Sequence, residues 1–304
     1  MSPPEPRKAT LGAIFLTIVL DLVGFGIMLP LLPLYAREFG ASGFQVGLLS
    51  ATYSVLQLVC APLWGRLSDR IGRRPVLLGT IAVNATAMAV FGLAETLPVL
   101  FVSRALAGMG GANISTARAY IADVTSIENR AKGMGLVGAA FGLGFVLGPF
   151  LGGVLAHYGG VQAPGLCAAA LGAANWILAF VRLPESRRAD ASEARPARSL
   201  FDLAAMQRAL ARGDIQALIL TFLLINLGFT GLEQAFVLHL AERFRYGSRE
   251  TGYVFMLVGL VGVVIQGGLI GSLTRRFGEI RLLTTGVLLY SYLLLTGRRS
   301  QNPA

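Results

Sequence analysis

Long apolar stretches separated by short polar runs recur along the whole chain. A stretch of about 20 apolar residues crosses the ~30 Å hydrocarbon core of a bilayer as one helix. By that rule nine candidates stand out, at roughly 11–36, 44–64, 75–94, 97–122, 133–157, 162–182, 215–240, 251–274 and 282–296. The pattern predicts an all-α, multi-pass membrane protein. The first stretch is expected to be a retained span, not a cleaved signal, because it is too long, carries Asp21, Pro30 and Pro33, and lacks a small-residue cleavage site.

Composition agrees with that pattern. Of 304 residues, 54% are apolar and only 14% charged, and there are 38 Gly; the mean hydropathy is +0.65. Glycine is commoner in membrane helices than in soluble ones. A net charge of +10 raises a nucleic-acid reading, but the basic residues sit in short runs between apolar stretches, which is how topology is encoded. Nucleic acid is therefore not expected as a partner, and the lipid bilayer is. With the N-terminus in the cytoplasm, the inner segments hold 19 of the 26 Lys and Arg and the outer segments 6. The positive-inside rule then predicts an inner (plasma) membrane protein with a cytoplasmic N-terminus. Cys60 and Cys167 fall inside apolar stretches and read as packing residues, so neither a disulfide nor a metal site is expected.

Residues 183–214 are the one long connection, with Pro184, Pro196, many Arg and Ala, and a mixed-charge run from Glu185 to Arg198. They read as a cytoplasmic linker with a short surface helix from Leu200 to Leu210. On either side lies a repeat. Gly65, Leu67, Arg70 and Gly72 recur as Gly271, Leu273, Arg276 and Gly278 at one offset of 206 residues, each set after the second span of its half. That is the trace of a duplicated six-span unit. The expected organisation is a six-helix bundle over 1–182, the linker, and three helices over 215–304, about nine of the twelve such a plan holds. The short ninth stretch and the polar tail from Gly297 to Ala304 are expected to mark a C-terminal truncation or frameshift; a natural nine-span protein is the alternative.

Four motifs carry chemistry. L-D-L-V-G-F-G-I-M-L-P occupies Leu20 to Pro30, and G-R-L-S-D-R-I-G-R-R-P follows span two from Gly65. R-A-L-A-G-M-G-G-A runs from Arg104 to Ala112, and G-L-G-F-V-L-G-P-F-L-G-G from Gly142 to Gly153. In order and spacing the chain resembles the major facilitator superfamily, and within it the drug:proton antiporters of the tetracycline-efflux type. The resemblance covers about Leu11 to Leu295.

Asp21 is the sharpest residue. A carboxylate at a helix centre costs roughly 2.5–3.5 kcal/mol to insert, so it usually faces a cavity. Asp21, Gly24 and Met28 share one helical face, and a carboxyl group there can bind and release a proton. A hydrogen bond to a neighbouring helix is the plainer alternative. Arg104 shares a face with Gly108 and Ala112; the resemblance implies that it lies near the proton path. A guanidinium in a bundle needs an acceptor, and the sequence does not say whether Asp21 is that acceptor. Glu233 in span seven is the second acidic candidate for proton coupling.

Asp69, Arg70, Arg73 and Arg74 are expected on a tight cytoplasmic loop, with Gly65 and Gly72 permitting its turns. Anchoring by basic residues explains Arg70 and Arg74, but an acid in a basic loop gives no topological benefit. The resemblance implies that the loop's acid and arginine join Asp123, at the end of span four, in a conformational latch, and that its acid also caps a helix of the second half. In span five Gly144, Gly148 and Gly152 recur at helical spacing beside Pro149 and Gly153. This spacing lets helices approach closely; the resemblance also makes it an antiporter signature. Among other polar residues in spans, Gln57, Asn84, Asn113 and Gln234 are candidates for a substrate cavity, although helix-to-helix hydrogen bonding explains amides equally. Asn175, Asn226 and Gln266 read the same way, while His157 and His239 read as interfacial.

No phosphate-cradling G-x-x-x-x-G-K-[ST] loop, H-E-x-x-H pair or nucleophile elbow is present, so ATP drive and enzymatic hydrolysis are not expected. The expectation is a non-enzymatic, proton-coupled exporter of a small organic substrate, working by alternating access, with the proton gradient as its energy source and no cofactor. A metabolite symporter or facilitator is one alternative, and a non-transporting membrane fragment another. Neither the substrate's identity nor an oligomeric state follows from these motifs.

Overall fold

The structure is a computed structural model that describes residues 8–111, 113–126, 129–186, 207, 211, 213–265 and 269–299. Every described element is a helix. In chain order they are α1 (Lys8–Met28), α2 (Leu31–Glu38), α3 (Gly43–Ile71), α4 (Arg73–Gly92), α5 (Leu97–Gly110), α6 (Asn113–Val124), α7 (Arg130–Gly159) and α8 (Gln162–Arg182). They are followed by α9 (Gly213–Phe244), α10 (Ser248–Val264), α11 (Ile270–Phe277) and α12 (Glu279–Arg299).

Local chemistry sets the ends of these helices. Before α3 the Ser42 hydroxyl accepts from the Gln45 amide at 3.3 Å while the Gln45 side chain accepts from the Ser42 amide at 2.8 Å, a reciprocal cap that satisfies two otherwise unpaired donors. Pro30 separates α1 from α2, and Pro98 sits in the first turn of α5, where a missing N–H costs nothing. Ahead of α10 the Glu250 carboxylate accepts from the Gly247 amide at 2.9 Å.

Seven helical segments among the described residues are long and apolar enough to cross a membrane: Leu11–Glu38, Gly43–Ile71, Arg73–Gly92, Leu97–Val124, Gly133–Gly159, Gln162–Arg182 and Ile215–Phe244. They coincide with the first seven predicted stretches. The eighth is divided between α10, of 17 residues, and α11, with Gln266 and its two successors outside the described residues. The ninth falls within α12. The expected surface helix from Leu200 to Leu210 also lies outside the described residues, apart from Gln207.

The span of α1 and α2 is the innermost. Of its most apolar window 72% is buried, against 0% for α9. Ile14, Ile18, Leu22, Ile27 and Met28 of α1 form the centre of the core with Leu77, Ile81 and Phe91. Large apolar residues on α9, such as Phe222, Leu223 and Leu227, face outward, an arrangement that suits hydrocarbon tails better than water.

Glycine holds the bundle together. A Cβ at Gly144, Gly148 or Gly152 of α7 would collide with backbone or Cβ atoms of Leu22, Gly26 and Ile27 of α1. On another face of α7, Gly153 meets Ser248 and Gly252, and Gly259 meets Phe145. So α7 is clamped between α1 and α10, and the spacing read as a close-approach signal acquires its partners. The pairs α4 with α8 and α3 with α5 use the same device at Gly92, Gly165 and Gly108.

The motif after span two departs from expectation. Residues Gly65 to Ile71 continue α3 as helix, and a Cβ at Gly65 would meet nothing within 4 Å. Gly65 therefore makes no turn. The whole reversal falls at Gly72, whose φ of 105° is a conformation that side-chain-bearing residues rarely adopt.

Candidate functional site

Two polar sites stand out in the first six spans. One lies in the middle of the bundle, around Asp21. The other closes the end where α3 turns into α4.

Asp21 projects from α1, partly buried, and its carboxylate is held by two amides. Asn84 of α4 donates to Oδ1 at 3.0 Å, and Asn113 of α6 donates to Oδ2. Both asparagines were candidates for the substrate cavity; the structure makes them the clamp on the carboxylate. Gln57 donates instead to the Tyr53 hydroxyl and to the Gly111 carbonyl, each at 3.0 Å, which ties α3 to the break between α5 and α6.

Arg104 is buried, with 3% of its surface exposed, and it does not pair with Asp21. No carboxylate among the described residues lies within ion-pair distance of it. Its guanidinium donates to Met28 Sδ at 3.1 Å and to the Ser103 hydroxyl at 3.5 Å and lies 5.7 Å from the Phe91 ring centroid; its Nε has no partner. Tyr53 of α3 faces α1 here, with its ring centroid 5.7 Å from that of Phe25 and its hydroxyl accepting from Gln57. Sequence reading passed over Tyr53, because one tyrosine in an apolar stretch is unremarkable until its neighbours are known.

At the α3–α4 end, Arg73 is the hub. It pairs with Asp69 at 2.8 Å and with Asp123 at 3.1 Å, and donates to the Ser68 hydroxyl at 2.6 Å. The grouping of the loop's acid, an arginine and Asp123 is thus present, with Arg73 as the arginine. Arg70 is exposed and forms no ion pair among the described residues. Arg74 donates to the Phe180 carbonyl at 2.6 Å and lies 5.2 Å from that ring's centroid.

A residue that sequence reading left in the linker completes this end. The Glu185 carboxylate accepts from the backbone amides of Arg73 at 2.8 Å and Arg74 at 3.1 Å. It caps the N-terminus of α4, where unpaired N–H groups and the helix dipole favour an anion. Its oxygens occupy the space a Cβ on Gly72 would need, so glycine is required there twice over. Ser186 reaches Asp123 at 3.4 Å and the Tyr120 hydroxyl donates to the Pro184 carbonyl at 2.8 Å. The only hint in the sequence was a proline and an acid directly after an apolar stretch.

The remaining expected residues are dispersed. Asn175 of α8 donates to the Thr17 carbonyl of α1 at 3.0 Å, an interhelical bond, and Asn226 to the Phe222 carbonyl one turn before it at 2.8 Å. His157 and His239 are exposed, each edge-on to an aromatic ring. The side chains of Glu233 and Gln234, on α9, lie outside the described residues, as does Ala112. A further bond reaches across the chain, from Arg37 of α2 to Glu242 of α9 at 2.9 Å.

Residues 14–296 match the Major Facilitator Superfamily, and the chain belongs to that family of membrane transporters. It is 34% identical to the class C tetracycline resistance protein of Escherichia coli over 89% of this chain and 69% of that protein. It is 28% identical to multidrug resistance protein 1 of Bacillus subtilis, over 95% of this chain and 73% of that one. The crystal structure of the human organic anion transporter MFSD10 superposes with a TM-score of 0.66 at 30% identity, covering 88% of this chain and 72% of that chain.

Proposed function

We propose that the protein exports a small organic compound in exchange for protons, with two halves rocking about a midplane site. The observation that carries this reading is Asp21, a carboxyl group in the innermost span, clamped by two amides and by no cation among the described residues. A group so placed can take up a proton on one side and lose it on the other. Arg104 and Tyr53 belong to its electrostatic surroundings, with Glu233 as a second acid. Asp69, Arg73 and Asp123 act as the gate, with the N-terminus and this gate on the cytoplasmic side of the plasma membrane. The tetracycline and multidrug resistance proteins among the relatives support an exported, drug-like substrate. The energy source is the proton gradient, without a bound cofactor.

The test is exchange in everted membrane vesicles. Adding a substrate such as tetracycline should dissipate an imposed pH gradient, and Asp21→Asn should abolish the response. An unchanged response in Asp21→Asn would remove Asp21 from the coupling and sink this reading.

One observation favours a second reading, of substrate class. A buried guanidinium without a carboxylate partner is costly, and a substrate anion would offset that cost at Arg104. The human organic anion transporter among the structural neighbours supports it. If so, Arg104→Gln loses transport of fluorescein while keeping that of ethidium; equal loss of both leaves Arg104 to proton coupling alone.

A further inference from the structure

Beside the Asp21 clamp formed by the Asn84 and Asn113 amides lies a small open space. A pocket adjoins the carboxylate, lined by Thr17, Asp21, Leu77, Ile81, Asn113 and Ala117 among others. The room open to the centre of a water-sized guest is about 10 Å³, close to the ~10–15 Å³ that one such guest needs. Thr17 stands one turn before Asp21, Leu77 one turn before Ile81, and Ala117 one turn after Asn113. Given the directions of α1, α4 and α6, the pocket lies on the side of Asp21 that faces the α3–α4 end.

Two of the lining residues carry an oxygen without a partner. Thr17 is 3% exposed and Asn113 is 4% exposed, yet neither Thr17 Oγ1 nor Asn113 Oδ1 makes a hydrogen bond. Leaving such buried acceptors unsatisfied costs about 1–3 kcal/mol each. Asn113 spends its Nδ2 on Asp21, which fixes its carboxamide beside the carboxylate. The pocket thus gathers a carboxylate, a hydroxyl and a carboxamide oxygen within apolar walls. These are hard oxygen donors that together carry one negative charge.

We propose that this pocket binds one monovalent alkali cation, held by Asp21, Thr17 Oγ1 and Asn113 Oδ1. Oxygen donors suit a hard cation, and a single carboxylate among neutral oxygens balances one positive charge, not two. The guest fills the water-sized space, satisfies both unpaired oxygens and gives Asp21 the counter-charge that Arg104 does not provide. Around Asp21 the competing charges are few. Neither Tyr53 of α3 nor Arg104 of α5 forms a hydrogen bond or ion pair with Asp21 among the described residues. Of the other charged or titratable residues of the packed helices, Arg118 follows Ala117 but is exposed, Tyr120 spends its hydroxyl on the Pro184 carbonyl, and Arg73 and Arg74, one turn before Leu77, are engaged by Asp69, Asp123 and the Phe180 carbonyl. Tyr35, Arg37 and Glu38 of α2, Asp123 of α6, Arg130, Lys132, His157 and Tyr158 of α7 and Arg182 of α8 stand near helix ends.

The inference rests on reading Asp21 as the coupling carboxylate, but its test uses no substrate. The 304-residue chain in lipid nanodiscs is unfolded thermally in rising NaCl or KCl, with choline chloride holding ionic strength constant. The expected result is a saturable rise in Tm with one alkali cation and none with choline. Asp21→Asn should abolish the rise. Thr17→Val, which keeps shape and loses only the unpartnered hydroxyl, should weaken apparent affinity about tenfold, and Thr17→Ser should restore it. Identical melting in NaCl, KCl and choline chloride would overturn the proposal, as would a cation effect that Thr17→Val leaves unchanged. Either outcome leaves the vesicle exchange assay, and the transport reading it tests, untouched.

Discussion

Single residues in this bundle are constrained by what their neighbours leave them. Gly148 and Gly138 lie ten residues apart on α7, yet a Cβ would run into Gly26 at the first and meet nothing within 4 Å at the second. Gly148→Ala should therefore lower stability by about 1–3 kcal/mol, the usual cost of forcing an extra carbon into a packed contact. Gly138→Ala should be neutral or stabilising by up to about 1 kcal/mol, since alanine loses less backbone freedom. Thermal melts of the two variants decide the matter, and equal melting points would show that the α1–α7 contact is looser than described. What was legible at this scale follows the same division. Asp21 and Arg104 stood out because a charge in an apolar stretch is conspicuous. Their partners did not, because pairing is a property of packing: the amides of Asn84 and Asn113 come to Asp21 from other helices, while Arg104 turns to Met28, Ser103 and Phe91.

At the level of elements, the α3–α4 reversal was legible in composition and misread in shape. Its polar run invited a loop, but Arg, Leu, Ser and Asp are compatible with helix, so α3 continues to Ile71 and a single glycine makes the reversal. The cap on α4 was hidden for another reason: Glu185 is 112 residues from the amide it binds. Removing it exposes the first turn of α4. Glu185→Ala should cost about 0.5–2 kcal/mol, the range for losing an N-cap, which corresponds to roughly 2–30-fold faster opening. Hydrogen exchange at the amides of Arg73 and Arg74 reads this directly, and unchanged rates would mean that water replaces the carboxylate without loss. Arg73→Ala should behave differently. It leaves Asp69 and Asp123 without their shared cation, so its effect should appear in exchange kinetics more than in protection of the α4 amides.

For the whole molecule, the contact that matters most is the one α7 makes on two faces. Against α1 it is locked by three glycines, each facing backbone or Cβ atoms of its partner. Against α10 it meets Gly252 and Gly259 at close quarters, beside a ring contact of Phe150 with Tyr253 at 5.8 Å, while the Arg37–Glu242 ion pair joins the first six spans to α9. The glycine contacts leave no room for added side chains between these two faces, and under the proposed alternating access this seam lies between the moving halves. A branched side chain at the seam should therefore hinder motion beyond its effect on stability. Gly252→Val places two methyl groups against Pro149 and Gly153 of α7, while Gly172→Val puts them against Ala85 inside the first six spans. Both should melt lower. Only Gly252→Val should slow vesicle exchange by more than its loss of folded protein explains. If the two variants lose exchange in proportion to folded protein alone, the α7–α10 contact is a static joint, and the moving surface must be sought elsewhere in the bundle.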